Sequence, residues 1–316
     1  MRAVFLDLDT LSPSDLDLAN LRSVADWSFH GVTAAGDTAR RLTGAAIAVS
    51  NKVLLDRGVI EACPDLKLIV VSATGVNNVD LDAARERGLR VCNVRNYGTP
   101  SVAQHVFSLI LALTIKLPEY LHAVREGRWQ KHAQYCLYAF PIRELHGKRL
   151  GVVGYGTLGR GVAEVGRGFG MEIVIAERRG APARDGRMAF DELLKSADVL
   201  TLHCPLTPET KNLIGTTELA AMKRDAILIN CARGGLVDEN ALVAALKSGV
   251  IAGAAFDVLT EEPPARGNPL LEPGIPNLIV TPHIAWAAKE SRQRMVDIVA
   301  EDIRAWRAGT PQNVVV

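Results

Sequence analysis

Residues 150–160 read LGVVGYGTLGR, an apolar strand running into Gly154-x-Gly156-x-x-Gly159 and then into a helical pattern. Glycines cluster in many turns, so the spacing alone is a weak signal, equally open to an ordinary βα turn. Its surroundings sharpen it: a strand before, a helix after, and another strand ending at Glu177, eighteen residues beyond Gly159. In such a unit Gly154 permits the tight turn, Gly156 lets the backbone approach a pyrophosphate, and Gly159 lets helix and strand pack closely. The free N–H groups of the helix start would meet the phosphates.

The pattern around this turn is parallel α/β, with short β-branched runs alternating with helical segments. The 316 residues suit two domains of ordinary size. Strands are expected at Ala3–Leu8, Trp27–Gly31, Ala45–Ser50, Leu68–Ser72 and Leu89–Asn93, with helices between them at Leu16–Ala25 and Leu81–Arg87. These make a small doubly wound sheet over residues 1–99. Thr99-Pro100-Ser101 opens a long apolar helix, taken as the passage into a second domain; Pro118–Trp129 is a further helical segment, and the stretch to Arg149 a loop. Six more strands, Leu150–Gly154, Glu172–Ala176, Asp198–His203, Ala226–Asn230, Ile251–Phe256 and Leu278–Thr281, complete a Rossmann dinucleotide-binding domain over 100–287. The final amphipathic helix, Lys289–Ala308, and the β-branched end Val314–Val316 would return over 288–316 to complete the first domain.

Composition narrows the partners. Lys and Arg total 36 against 35 Asp and Glu, a net charge of +1, which argues against nucleic acid or an anionic membrane as the target. The most apolar stretch, Val102–Leu117, is broken by Gln104, His105 and Lys116 and reads as a buried helix, not a membrane span. MRAVFLDLDT has no signal-peptide pattern, and the five cysteines are odd in number, far apart and without a CxxC pair. The expectation is a cytoplasmic chain with reduced thiols and no metal site.

Strand ends of the second domain carry the candidate chemistry. Glu177 sits where an acid accepts both ribose hydroxyls of an adenosine, favouring NAD(H), while Arg178 and Arg179 leave NADP(H) open. Arg233, in NCARGG, has the planar fork that matches a carboxylate. Asp257 ends a strand, and Glu262 lies in the proline-rich loop after it. His283, in TPHIAW, follows a strand and a proline; its rival is His203, read as lining the cofactor pocket. Each alone also fits an ordinary polar loop. Together Arg233, Glu262 and His283 suit reduction of a 2-oxo acid, with histidine as proton donor, a carboxylate orienting it, and a guanidinium on the substrate. In the first domain SATGVNNVD offers backbone N–H groups for a small carboxylate.

In this order the segments ATGVNNVDLDAA (73–84), LGVVGYGTLGR (150–160), LHCPLTPETKNLIG (202–215), INCARGGLVDENAL (229–242), FDVLTEEPP (256–264) and TPHIAWAAKE (281–290) resemble the D-isomer-specific 2-hydroxyacid dehydrogenases from end to end. The resemblance implies a Rossmann cofactor domain and a smaller flavodoxin-like substrate domain, with the site in the cleft between them, in a homodimer. It assigns the substrate to Arg233 and the backbone of Thr74 and Gly75, acid/base work to His283 paired with Glu262, and the cofactor to Thr157, Leu158, Glu177, Cys231, Ala232 and Asp257. AERRGA (176–181), FPIRELHGK (140–148) and HIAWAAKE (283–290) look most like bacterial glycerate dehydrogenases, also called hydroxypyruvate reductases. D-lactate, phosphite and 2-keto sugar acid enzymes share the triad. A non-enzymatic NAD(H)-sensing corepressor is the reading from a different class.

Overall fold

The computed structural model describes residues 1–316, and each expected strand is present, with no end displaced by more than three residues. The chain divides into two compact units, Met1–Gly98 with Trp286–Val316, and Thr99–Ala285. No single helix in either unit is long and apolar enough to cross a membrane.

In the first unit β1 (Arg2–Phe5), β2 (Asp26–Phe29), β3 (Ile47–Ser50), β4 (Leu68–Val71) and β5 (Arg90–Asn93) form one parallel sheet in the order β2-β1-β3-β4-β5. This is the flavodoxin-like order. The central strands β3 and β4 are buried along their whole length, which explains their unbroken apolar sequence. Helix Lys289–Arg307 lays Met295, Val296, Val299 and Ile303 on one face, against Phe5, Val49 and Val70. The tail then runs beside β5, where Val91 N–H donates to the Val316 carbonyl at 3.0 Å and Val315 N–H donates back to that of Val91 at 2.8 Å.

The helix expected over Leu16–Ala25 shrinks to Ala19–Arg22. Pro13–Asp15 winds as a 3₁₀ turn, Leu16 is extended, and the Asp17 carboxylate accepts the Ala19 N–H at 2.8 Å. That local bond competes with helix propagation, as short acidic side chains do. Likewise Pro118–Trp129 becomes Leu117–Arg125, stopped by Gly127 at φ +70° while Arg128 N–H reaches back to the Ala123 carbonyl.

In the second unit β6 (Arg149–Val153), β7 (Glu172–Ile175), β8 (Val199–Leu202), β9 (Ile227–Asn230), β10 (Gly253–Phe256) and β11 (Leu278–Val280) pair in parallel in the order β11-β10-β9-β8-β6-β7. The winding reverses between β6 and β8. In open α/β sheets ligands collect at such a switch point, outside the carboxyl ends of the strands. A parallel bridge from Ala176 to Met188 adds a vestige of a further strand outside β7. Helices Thr99–Thr114 and Thr157–Gly168 pack together on one face, the Phe107 and Phe169 rings stacking at 5.2 Å.

Candidate active site

The glycine turn sits at the switch point. Gly154 has φ +93°, and a Cβ there would lie 2.5 Å from the Cys204 amide nitrogen, so only glycine lets the β6 turn press against the end of β8. A Cβ on Gly159 would lie 2.1 Å from the Gly154 carbonyl oxygen, which fixes the close approach of the helix to the turn. At Gly156 a Cβ would meet nothing within 4 Å, leaving open space over the helix start. Gly156 supplies no side-chain cap to the helix Thr157–Gly168, so the N–H groups of Thr157 and Leu158 face that space without an internal acceptor.

His203 follows β8. Its Nε2 is 2.9 Å from Thr201 Oγ1, whereas the buried Nδ1 has no partner within the chain. Burial pushes its pKa down to about 4, so the ring is neutral near pH 7. The bare helix start, the gap at Gly156 and the orphaned Nδ1 together fit a dinucleotide laid across the switch point.

Glu177, just past β7, has a fuller coordination than its sequence position implies. Its carboxylate is almost wholly buried, and Arg184 meets it with a two-pronged fork, Nε at 2.6 Å from Oε2 and Nη2 at 2.7 Å from Oε1. The Arg178 N–H also donates to Oε1, at 2.8 Å. The guanidinium, seconded by this amide, holds the carboxyl down at about 2. Arg179 turns away to Glu218, at 2.5 Å. Nothing in the one-dimensional pattern marked Arg184 as the partner of Glu177.

Three neighbouring strands, β9, β10 and β11, carry the remaining candidates at their carboxyl ends. Asn230, Phe256 and Val280 lie in register across them, and Arg233, Asp257 and His283 follow within three residues. After β9, Asn230 shapes the turn: its Oδ1 accepts the Ala232 N–H at 3.1 Å and its Nδ2 donates to the Arg233 carbonyl at 2.8 Å. Cys231 and Ala232 are buried beneath that turn, and burial pushes the Cys231 thiol above its ordinary value. Arg233 is exposed; its Nη1 donates to the Ala232 carbonyl at 2.7 Å, and no acid in the chain pairs with it.

His283 adopts φ +56°, an uncommon conformation for a non-glycine residue. Its Nδ1 lies 2.6 Å from Glu262 Oε2, and both side chains are about one-third exposed. Glu262 is itself anchored, its Oε1 accepting the Leu259 N–H at 2.8 Å. The turn after His283 is held by Asp257. Asp257 Oδ1 accepts from Thr281 Oγ1 at 2.5 Å and from the Ile284 N–H at 2.9 Å, and Oδ2 accepts the Ala285 N–H at 2.8 Å. Burial opposes its charge, but hydrogen bonds from His105, Thr281 and these two amides hold the carboxyl below its ordinary value. His105, on the long helix, completes the group with Nε2 3.0 Å from Thr281 Oγ1 and 3.4 Å from Asp257 Oδ1. Sequence reading treated His105 only as a polar break in an apolar helix; such a break was the one available signal.

In the first unit, Thr74 and Gly75 occupy the turn after β4. The Thr74 side chain donates to the Val94 carbonyl at 3.1 Å and the Asn93 Nδ2 to the Thr74 carbonyl at 2.6 Å, while the Thr74 and Gly75 N–H groups have no acceptor in the chain.

Residues 107–285 match the family described as the D-isomer-specific 2-hydroxyacid dehydrogenase, NAD-binding domain. A glycerate dehydrogenase of Methylorubrum extorquens is 44% identical over 315 residues, covering 99% of this chain and 98% of that one. The chain belongs to the D-isomer-specific 2-hydroxyacid dehydrogenases. This dehydrogenase is also 38% identical to a hydroxypyruvate reductase of Blautia hydrogenotrophica over 100% of its own length and 99% of the relative's. Among solved structures, the NAD-complexed D-isomer-specific 2-hydroxyacid dehydrogenase of Lactobacillus delbrueckii superposes with a TM-score of 0.81 at 25% identity, over the whole of both chains. The protein is thus an NAD-binding oxidoreductase interconverting 2-hydroxy and 2-oxo acids, and the expectations of an α/β parallel fold and a nicotinamide cofactor hold.

Proposed function

We propose that this dehydrogenase reduces a small 2-oxo acid, hydroxypyruvate or glyoxylate first, to the D-2-hydroxy acid. The relatives named for glycerate and hydroxypyruvate support that substrate class. The 2.6 Å pair between His283 Nδ1 and Glu262 carries the reading, because it dictates where the proton resides. With Nδ1–H donated to the carboxylate, Nε2 is the free ring nitrogen. A proton held there passes to the substrate's C2 oxygen during reduction and returns to Nε2 during oxidation.

The unpaired fork of Arg233 suits the substrate carboxylate and the developing charge on the neighbouring oxygen. The free amides of Thr74 and Gly75 are anion donors of the same kind. The reduced nicotinamide, when bound, supplies the hydride. Gly154, Gly156 and Gly159 with the Thr157 and Leu158 amides would hold its phosphates, Glu177 its adenosine ribose, and His203, Cys231, Ala232 and Asp257 the remainder along the strand ends. Asp257 has a second task in this reading, since it holds the turn that presents His283.

Exposed Leu117, Leu121 and Val124 on one helix, with Trp129, Tyr135 and Tyr138 after it, support a homodimer, to be tested by light scattering. A cytoplasmic location belongs to the same reading. The deciding experiment follows nicotinamide absorbance with a panel of 2-oxo acids. Hydroxypyruvate and glyoxylate should give the highest kcat/KM. Turnover confined to pyruvate, to bulky 2-oxo acids or to phosphite, or absent with every acid, would overturn the assignment.

A further inference from the structure

Glu262 orients His283, so whatever fixes Glu262 acts on the proton carrier as well. The loop that carries Glu262 leaves β10 at Leu259 and Thr260 and ends near Asn268, and the turn after β9 lies directly against its start. A Cβ on Gly234 would lie 2.0 Å from the Leu259 carbonyl carbon and 2.3 Å from the Thr260 nitrogen, so only glycine lets the two backbones meet there. Arg233 and Glu262 therefore stand on loops in direct backbone contact. At that contact Leu259 donates its N–H to Glu262 Oε1 at 2.8 Å.

Glu239 closes this arrangement. It is the first residue of the helix Glu239–Lys247, whose start is already capped by Asp238, the acceptor of the Ala241 N–H at 3.0 Å. With the cap supplied, the half-buried Glu239 carboxylate reaches the loop instead. Its Oε1 accepts the Thr260 N–H at 2.8 Å and its Oε2 accepts from Asn268 Nδ2, also at 2.8 Å. Asn268 is fixed in turn, because its Oδ1 accepts the N–H of Leu270, a core residue, at 2.9 Å. One side chain thus ties the entry and the exit of the loop. At the loop tip the Arg266–Glu261 ion pair is exposed and screened by solvent, so it adds little restraint.

We propose that Glu239 is a positioning residue for the acid/base pair: by clamping Thr260 and Asn268 it keeps the Glu262 carboxylate on His283 Nδ1. The inference rests on the reading of His283 as proton carrier and Glu262 as its orienter, and names what holds that pair in register. With the clamp gone, a slack loop lets Glu262 leave Nδ1, and the imidazole is no longer confined to one tautomer. The loss falls on the rate, because the Glu239 contacts are with the loop and not with the glycine turn after β6.

A double-mutant cycle on the full-length protein tests this, with Glu239→Ala, Glu262→Gln and the two combined. Turnover is followed with NADH and whichever of hydroxypyruvate, glyoxylate and pyruvate reacts fastest, beside a fluorescence titration with NADH. Glu239→Ala should lower kcat by about tenfold, the scale of a slightly misplaced catalytic group, and leave the NADH Kd within about twofold. In the Glu262→Gln background the same change should cost about twofold or less, because the group being positioned is already disabled. A merely structural role would cost as much in either background. Glu239→Gln keeps an acceptor for Thr260 but turns an amide NH₂ on Asn268, so its kcat should fall only about threefold. That variant carries the cycle if Glu239→Ala fails to fold. Equal losses in the two backgrounds, an NADH Kd that weakens in step with kcat, or an unchanged kcat in both Glu239 variants would overturn the proposal. Full turnover in Glu262→Gln alone would instead bring down the reading of the acid/base pair, and the positioning role with it.

Discussion

His283 Nδ1 and Glu262 Oε2 stand 2.6 Å apart though separated by twenty-one positions, Glu262 in the segment after β10 and His283 just past β11. The imidazole is therefore held at one nitrogen and free at the other, as a proton carrier must be. His283→Ala should lower kcat by about 10²–10⁴, the usual range for loss of a general acid, while the Kd for NADH changes little. Glu262→Gln keeps the shape but makes the Nδ1 contact ambiguous in direction, since an amide both donates and accepts; it should lower kcat more than it raises KM. Steady-state kinetics with a parallel NADH titration decide the matter. Equal loss of turnover and NADH affinity in His283→Ala would place the residue in cofactor binding instead.

Arg233 is the unpaired guanidinium at the end of β9, oriented by its bond to the Ala232 carbonyl. Arg233→Lys preserves the charge and removes the planar fork, so substrate affinity should suffer first. We expect KM for the 2-oxo acid to rise about tenfold or more, equivalent to about 1.4 kcal/mol. An unchanged KM would show that another group binds the carboxylate.

The strands were legible because their signal is local: β3, β4, β8, β9 and β10 are buried along their length, so each reads as a mainly apolar run, with Ser50, Thr201 and Asn230 as the polar exceptions. Arg233, Glu262 and His283 stand out as candidates because chemistry in such a sheet gathers at strand ends, Arg233 and His283 lying three residues past one and Glu262 in the loop after another. What escaped was pairing at a distance. His105 reaches Thr281 across 176 residues, and Arg184 reaches Glu177 through a loop that turns at left-handed Gly180. The helix over Leu16–Ala25 was overcalled for a related reason, because an Asp17 side chain took the amide that a further turn would have used.

Two histidines, His203 and His283, follow strands of the second unit. His203 is half-buried, and desolvation pushes its pKa down to about 4, so it stays neutral across the working range and lends no charge to the site. A pH dependence of kcat/KM between about pH 5.5 and 9 therefore does not arise from His203. His203→Asn should weaken NADH binding by removing the neutral ring beside the β6 turn, yet leave the pH dependence of kcat/KM where it was. A pH dependence that vanished in His203→Asn and persisted in His283→Ala would reverse the two roles.

Asp302 lies on the final helix, fully buried, with Oδ1 accepting from Asn313 Nδ2 at 2.8 Å and Oδ2 without any partner. Burial raises its pKa from the ordinary 3.8 to about 6. The folded chain thus binds this proton more tightly than the unfolded chain does. Its contribution to stability is fully present below about pH 3.8 and is lost as the pH rises toward 6, where the unfolded carboxylate ionises freely and the buried one ionises at a cost. Asp302→Asn keeps the acceptor for Asn313 and removes the charge. It should raise Tm at pH 8, by roughly 2–4 °C for each kcal/mol recovered, and bring no gain near pH 4. Thermal unfolding of both proteins at the two pH values checks the sign, and a stabilisation that grew toward acid would mean that Asp302 is ionised in the folded chain.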